Sequence, residues 1–213
     1  MSLQQFWTVV RRLLFTLVML AALLAGALVT NTPIDNLSPH WLNRLGFAPS
    51  DVWFLRWERL FTSALVTSGG WVFWQAMGMV ALAVGMAEWL AGTKRTIATF
   101  WGVHLATLLL ESLLIAWPLH QLGSSFGTAL VMVRDVGPSA GYFGCLGLAC
   151  ARFPKKRWGQ LASLLIFAAL GWSLWHSFRS GQADIAKRFA DLAHLIAFPV
   201  GWLSSNLTFR STK

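Results

Sequence analysis

"RDVGPSAGYFGCLGLACARFPKKR" runs from Arg134 to Arg157 and holds a charge-free stretch, Val136 to Ala151, that opens on Gly-Pro-Ser-Ala-Gly. Proline at a first helical position is pre-organised for a helix start and biases the residue before it, Gly137, toward extended backbone. Ser139 then falls in the first turn, where backbone N–H groups have no intrahelical acceptor. Such donors, at the positive end of a helix dipole, suit a developing oxyanion. Gly141, Gly144 and Gly147 follow at three-residue intervals. They leave one side of the helix almost bare, a surface on which a second helix can pack closely in lipid.

The composition explains why lipid is the relevant solvent. Hydrophobic residues make up 56% of the 213 and charged residues only 12%, against about 25% charged in a soluble domain. Mean hydropathy is +0.57. This composition belongs to an all-α polytopic membrane protein. The formal charge of +9 does not point to nucleic acid, because the basic residues sit at the ends of apolar runs instead of forming one face. Cys145 and Cys150 lie inside an apolar run and read as small packing residues, not as a metal or disulfide pair.

Six spans are expected within a single domain covering 1–213: approximately 13–30, 71–90, 96–117, 137–151, 158–178 and 189–205. The uncharged run from Leu60 to Ala87 is too long for one span. Thr67 to Gly70, "TSGG", therefore places the second helix start near Trp71 and leaves the earlier part at the surface. Pro118 is expected to end the third span, and Pro199 to interrupt the sixth. The first apolar run has no small-residue cleavage site followed by a soluble domain, so it reads as a retained span. The compact basic clusters Arg11-Arg12, Lys94-Arg95 and Lys155-Lys156-Arg157, with Arg152, Arg210 and Lys213, fall on one side. By the positive-inside rule both termini are then cytoplasmic, and Ser139 enters from the outer side.

The sixth span supplies a partner for the serine. "ADLAHLIAFPVGWL" sets Ala193, Ala197 and Gly201 four residues apart, a smooth stripe with His194 beside it. His194 lies roughly 7–8 Å below Phe189 at the helical rise, a depth that matches a first-turn serine. A serine activated by a histidine is the minimal nucleophile–base pair. Asp191, three residues before His194, either meets the imidazole along one face, sits in a wet cavity or pairs with Arg188. Glu111 is expected to pair with an arginine of the outer loop such as Arg134, and His104 to serve as a structural hydrogen-bonder.

These segments resemble the rhomboid intramembrane serine proteases. "GPSAGYFGCLG" is similar to the glycine–any–serine motif at the start of the family's fourth span, and "AHLIAFPVGWL" to its histidine segment in the sixth. "RWERLFTSAL" (56–65) is similar to the tryptophan–arginine segment closing the first outer loop. "MAEWLAGTKR" (86–95) is similar to the glutamate and glycine that end the second span, here Glu88 and Gly92. The resemblance implies a six-transmembrane-helix rhomboid-like bundle that hydrolyses peptide bonds of single-span membrane proteins. Ser139 would be the nucleophile and His194 the general base. It implies no metal or organic cofactor, and the lipid bilayer and transmembrane substrates as partners; with no nucleic acid expected from the placement of the basic residues, a fold of this size without an added soluble domain suggests a bacterial inner-membrane location.

The sequence departs from the family at the oxyanion site. Ala140 intervenes between Ser139 and Gly141, where the family has glycine directly after the serine. The family's early second-span histidine and asparagine are absent from "SGGWVFWQAMGM". Aligning Gln75 with the asparagine puts Trp71 at the histidine, and both offer N–H donors. Counting back from Glu88 without a gap gives Val72 and Ala76, which offer none. Gly137, Ala140, Trp71 and Gln75 are thus the oxyanion and substrate-site candidates. Two functions stay open: a protease, and a rhomboid pseudoprotease that binds transmembrane helices without cutting them.

Overall fold

The computed structural model describes residues 3–179 and 185–206. Arg210 and Lys213, assigned above to the cytoplasmic side, lie outside the described residues. The described chain is mostly helical and holds no strand. Its helices are α1 (Leu3–Arg12), α2 (Leu14–Thr30), α3 (Pro39–Leu45), α4 (Trp71–Ala91), α5 (Thr93–Gln121), α6 (Ser125–Met132), α7 (Ser139–Ala151), α8 (Lys156–Arg179) and α9 (Ile185–Ser204). By length and apolar composition α4, α5 and α8 could each cross a bilayer; α2 and α7 are apolar but shorter. Helix α9 carries Lys187, Arg188 and Asp191 in its first turns. The second long helix begins at Trp71, with only short helical turns over Arg59–Leu65 before it.

Helix α7 is the centre of the bundle and packs chiefly on α9 and α5, with α8 and α4 on its other sides. Its smallest residues make this possible, but they divide the work. A Cβ on Gly147 would meet the Phe198 carbonyl and, at 2.8 Å, the Trp202 nitrogen, both on α9. A Cβ on Gly141 or Gly144 would instead strike Phe100 or Val103 on α5. Gly147 thus turns its missing side chain to α9 and Gly141 and Gly144 turn theirs to α5, although the Gly144 backbone still touches α9. Three residues advance an α-helix by about 300°, so each step turns back about 60° and the stripe winds onto a second neighbour. Ala193 and Ala197 of α9 are buried, and Gly201 lies against the Gly144 backbone. Cys145 and Cys150 are free and buried, as packing residues should be.

Glu88 fixes the entry to α2. Its buried carboxylate accepts from the Phe15 and Thr16 N–H groups at 2.9 and 2.8 Å and from the Thr16 and Thr93 hydroxyls at 2.7 Å each. It satisfies donors that a helix start leaves open and puts negative charge at the dipole's positive end. At the opposite end of α9, Arg95 and Arg152 donate to the carbonyls of Ser204 and Ser205. Helix α8 leaves its apolar side chains outward, Leu164, Leu165 and Trp172 among them, as a lipid-facing helix would.

The prolines break fewer helices than expected. α5 runs through Pro118 to Gln121, and α9 runs through Pro199 to Ser204. In α5 a π turn over Glu111–Ala116 immediately precedes the proline. The wider turn eases the clash between the pyrrolidine ring and the preceding carbonyls. A second π turn, Val80–Val84, lies in the middle of α4.

Candidate active site

Ser139 is the first residue of α7. Pro138 stands just before it, and the first intrahelical bond of the turn runs from Tyr142 N–H to the Pro138 carbonyl at 2.9 Å. Among the described residues the N–H groups of Ser139, Ala140 and Gly141 have no acceptor. Gly137 adopts φ +139°, a conformation suited to glycine instead of the extended one expected before proline. Its N–H donates to the Ser63 carbonyl at 2.8 Å. Asp135 exchanges both backbone hydrogen bonds with Phe47, at 2.9 and 3.0 Å. The segment between α3 and α4 thus clamps the chain on the approach to the serine.

A buried ion cluster holds that loop. The Asp51 carboxylate, fully enclosed, accepts from Arg59 at 3.0 and 3.2 Å, Arg134 at 2.8 Å and the Ala48 N–H at 3.0 Å. Arg134 therefore pairs with Asp51 and not with Glu111, whose two buried oxygens have no partner among the described residues. The backbone pairing of Phe47 with Asp135 brings the aspartate's loop to Arg134's own segment. His104 does act structurally: its Nε2 donates to the Leu60 carbonyl at 2.8 Å.

Ser139 and His194 line one cleft of about 380 Å³, together with Gly137, Gln75, Tyr142 and Asp135. The imidazole packs at a tilt of 38° on Phe143, ring centroids 4.4 Å apart, and Nε2 is buried without a hydrogen-bond partner among the described residues. No hydrogen bond joins it to Ser139. Catalytic hydrogen bonds are often loose before substrate arrives and tighten in the complex. Asp191 is bonded to the Ser173 hydroxyl at 3.0 Å and lies 3.7 Å from Lys187, while Arg188 donates to the Ser177 carbonyl. Asp191 bonds neither His194 nor Arg188, because the Ser173 hydroxyl of α8 and the lysine one turn earlier on its own helix compete for it, but its charge still acts on the imidazole along their shared face.

Of the oxyanion candidates, Gln75 lines the cleft beside Val72 and Ala76, whereas Trp71 does not and is 76% exposed. At the start of α4 the indole turns away from the bundle. Ala140 is buried against α5 and α9. A second cavity of about 10 Å³ lies behind Ser139, lined also by Ser63, His104 and Asp135. That is room for about one water, and Ser63 Oγ and His104 Nδ1 are buried polar atoms in need of a partner.

Three side chains of this site escaped the sequence reading: Phe143, Tyr142 and Asp135. The first two were legible, since residues three and four after a helical serine share its face. Among the described residues Asp135 is the cleft's only carboxylate, and no lysine or arginine lines it. Burial pushes its carboxyl up to about 6, with the Val136 N–H bond opposing. Compared with models of known families, with curated proteins and with solved structures, the chain matches none.

Proposed function

We propose that this chain is a six-span intramembrane serine protease of the rhomboid type, cutting transmembrane proteins with Ser139 and His194. The observation that carries the reading is one cleft holding a first-turn serine hydroxyl, unbonded helix N–H donors and an imidazole whose Nε2 lacks a partner. In this mechanism His194 takes the Ser139 proton as Oγ attacks the scissile carbonyl carbon. The oxyanion rests on the α7 N-terminus. His194 then gives its proton to the departing amine nitrogen, leaving an ester on Ser139. Water attacks the ester, its proton passes to His194, and the acid leaves as Oγ is reprotonated. The small cavity behind Ser139 has room for that water.

A second reading, a pseudoprotease that binds transmembrane helices, draws support from Val72 and Ala76, which bring no donor to the cleft wall. A fluorophosphonate probe separates the two. The protease should be phosphonylated in detergent, with labelling abolished in Ser139→Ala and sharply reduced in His194→Ala, because a hydroxyl without its base is a weak nucleophile. Well-folded parent protein that takes no label would sink the protease reading.

A further inference from the structure

We propose that Tyr142 is a catalytic residue whose phenol O–H donates to the oxyanion formed at Ser139. The proposal rests on the protease reading and names a group that reading does not require. On an α-helix the residue four after Ser139 lies about 40° to one side of it and the residue three after about 60° to the other. Phe143, on the first side, packs on His194. That fixes the base side of the serine. Tyr142, on the second, packs into the cluster that includes Val80 and Val84 of α4.

The chemistry needs this division. A base that takes the Oγ proton occupies one flank of the attacking oxygen, so the carbonyl oxygen is driven toward the other, where donors must wait. Helical side chains lean back toward the N-terminus. From three residues along, the phenol is therefore carried over the turn that holds Ser139 and its unbonded N–H groups. The ring is partly buried, yet among the described residues its O–H has no hydrogen-bond partner. Enclosed tyrosines normally find one. A donor there offsets the absence of any histidine or asparagine in the facing wall, where Val72, Gln75 and Ala76 stand. No covalent step is added: the phenol keeps its proton, donating while negative charge resides on the carbonyl oxygen and releasing it when the carbonyl reforms.

Tyr142 is the chain's single tyrosine, which makes a direct test simple. Full-length Tyr142→Phe in detergent should lose roughly 10²–10³-fold in kcat on a single-span model substrate, with KM and thermal stability close to the parent's. Biosynthetic replacement of tyrosine by fluorotyrosine gives one fluorine NMR line. That line should shift when the fluorophosphonate places its phosphonyl oxygen in the oxyanion position, and the fluorinated protein should keep its activity. An unchanged kcat in Tyr142→Phe, or a fluorine line that stays put while Ser139 is labelled, overturns the assignment and leaves the protease reading intact. A parent that neither cleaves nor labels overturns both.

Discussion

Gly201 offers the sharpest test of how α7 and α9 are held together. Gly201→Ala adds one methyl whose carbon would sit 2.5 Å from the Gly144 Cα and closer still to the Gly144 carbonyl oxygen. Carbon atoms in contact prefer about 3.5–4.0 Å, and neither obstacle is a side chain that can swing away. The helices must therefore part by about 1 Å along the whole seam. Overpacking of this kind costs about 1–3 kcal/mol, or a fall of roughly 2–12 °C in Tm for a chain of this size. The natural control is Gly171→Ala on α8, where an added Cβ meets nothing within 4 Å and where lower unfolded-state entropy favours alanine by about 0.4–1 kcal/mol. Both variants would be melted in one detergent, followed by tryptophan fluorescence. If Gly201→Ala melts with or above Gly171→Ala, the two backbones do not touch and the close approach is wrong. Labelling of Ser139 should fall in parallel, since the same seam sets its distance from His194.

Other outcomes follow from the buried charges. Asp51→Ala leaves Arg134, 18% exposed, without a counter-charge and Arg59, 12% exposed, with only the exposed Glu58 at 4.0 Å, and should destabilise by about 3–5 kcal/mol; an unchanged denaturation midpoint would contradict the cluster. Glu88→Ala strands the first N–H groups of α2, costing about 1–3 kcal/mol, and hydrogen exchange should accelerate first at Phe15 and Thr16. Asp135, raised to about 6, titrates above an ordinary aspartate near 3.9, so the folded state binds the proton more tightly than the unfolded chain. Its contribution is accordingly most favourable below pH about 4, declines as pH rises through about 6, and is flat beyond. Asp135→Asn should remove that slope from the stability–pH curve, and a slope that persists would assign it to another group.

Much of the helix layout was legible because lipid imposes it. Charge-free runs long enough to cross hydrocarbon are rare by chance, and "TSGG" punctuates one so plainly that the helix start at Trp71 could be read from it. The prolines misled because the rule that they break helices assumes an α-helical turn around them, and α5 answers Pro118 with a π turn. Ser139 and His194 could be brought together from the sequence because a helix start, a small-residue stripe and a common depth are local properties, whereas Gln75 came only from the family alignment. Trp71 was misjudged for the opposite reason: a donor type says nothing about the direction of its side chain. The same holds for Arg134, whose partner was settled by a loop fold that no spacing encodes.

The π turn at Val80–Val84 has a meaning in terms of chain length. A single π turn is a helix holding one residue more than its α-helical path requires, so it reads as an insertion absorbed on the spot, with both flanks left in place. Glu88 is pinned under α2 on one flank, and Gln75 faces the cleft on the other. The two registers of the second span, one ending on Val72 and Ala76 and the other on Trp71 and Gln75, differ by that one residue. Shortening Val80–Val84 by one would keep Gln75 in the cleft and Glu88 at its cap. Removing a residue from Ala76–Met79 instead would turn everything before the cut by about 100°, and the amide would leave the site. The middle of α4 is thus the one place along this wall where the gene can change length without changing which residue the cleft sees.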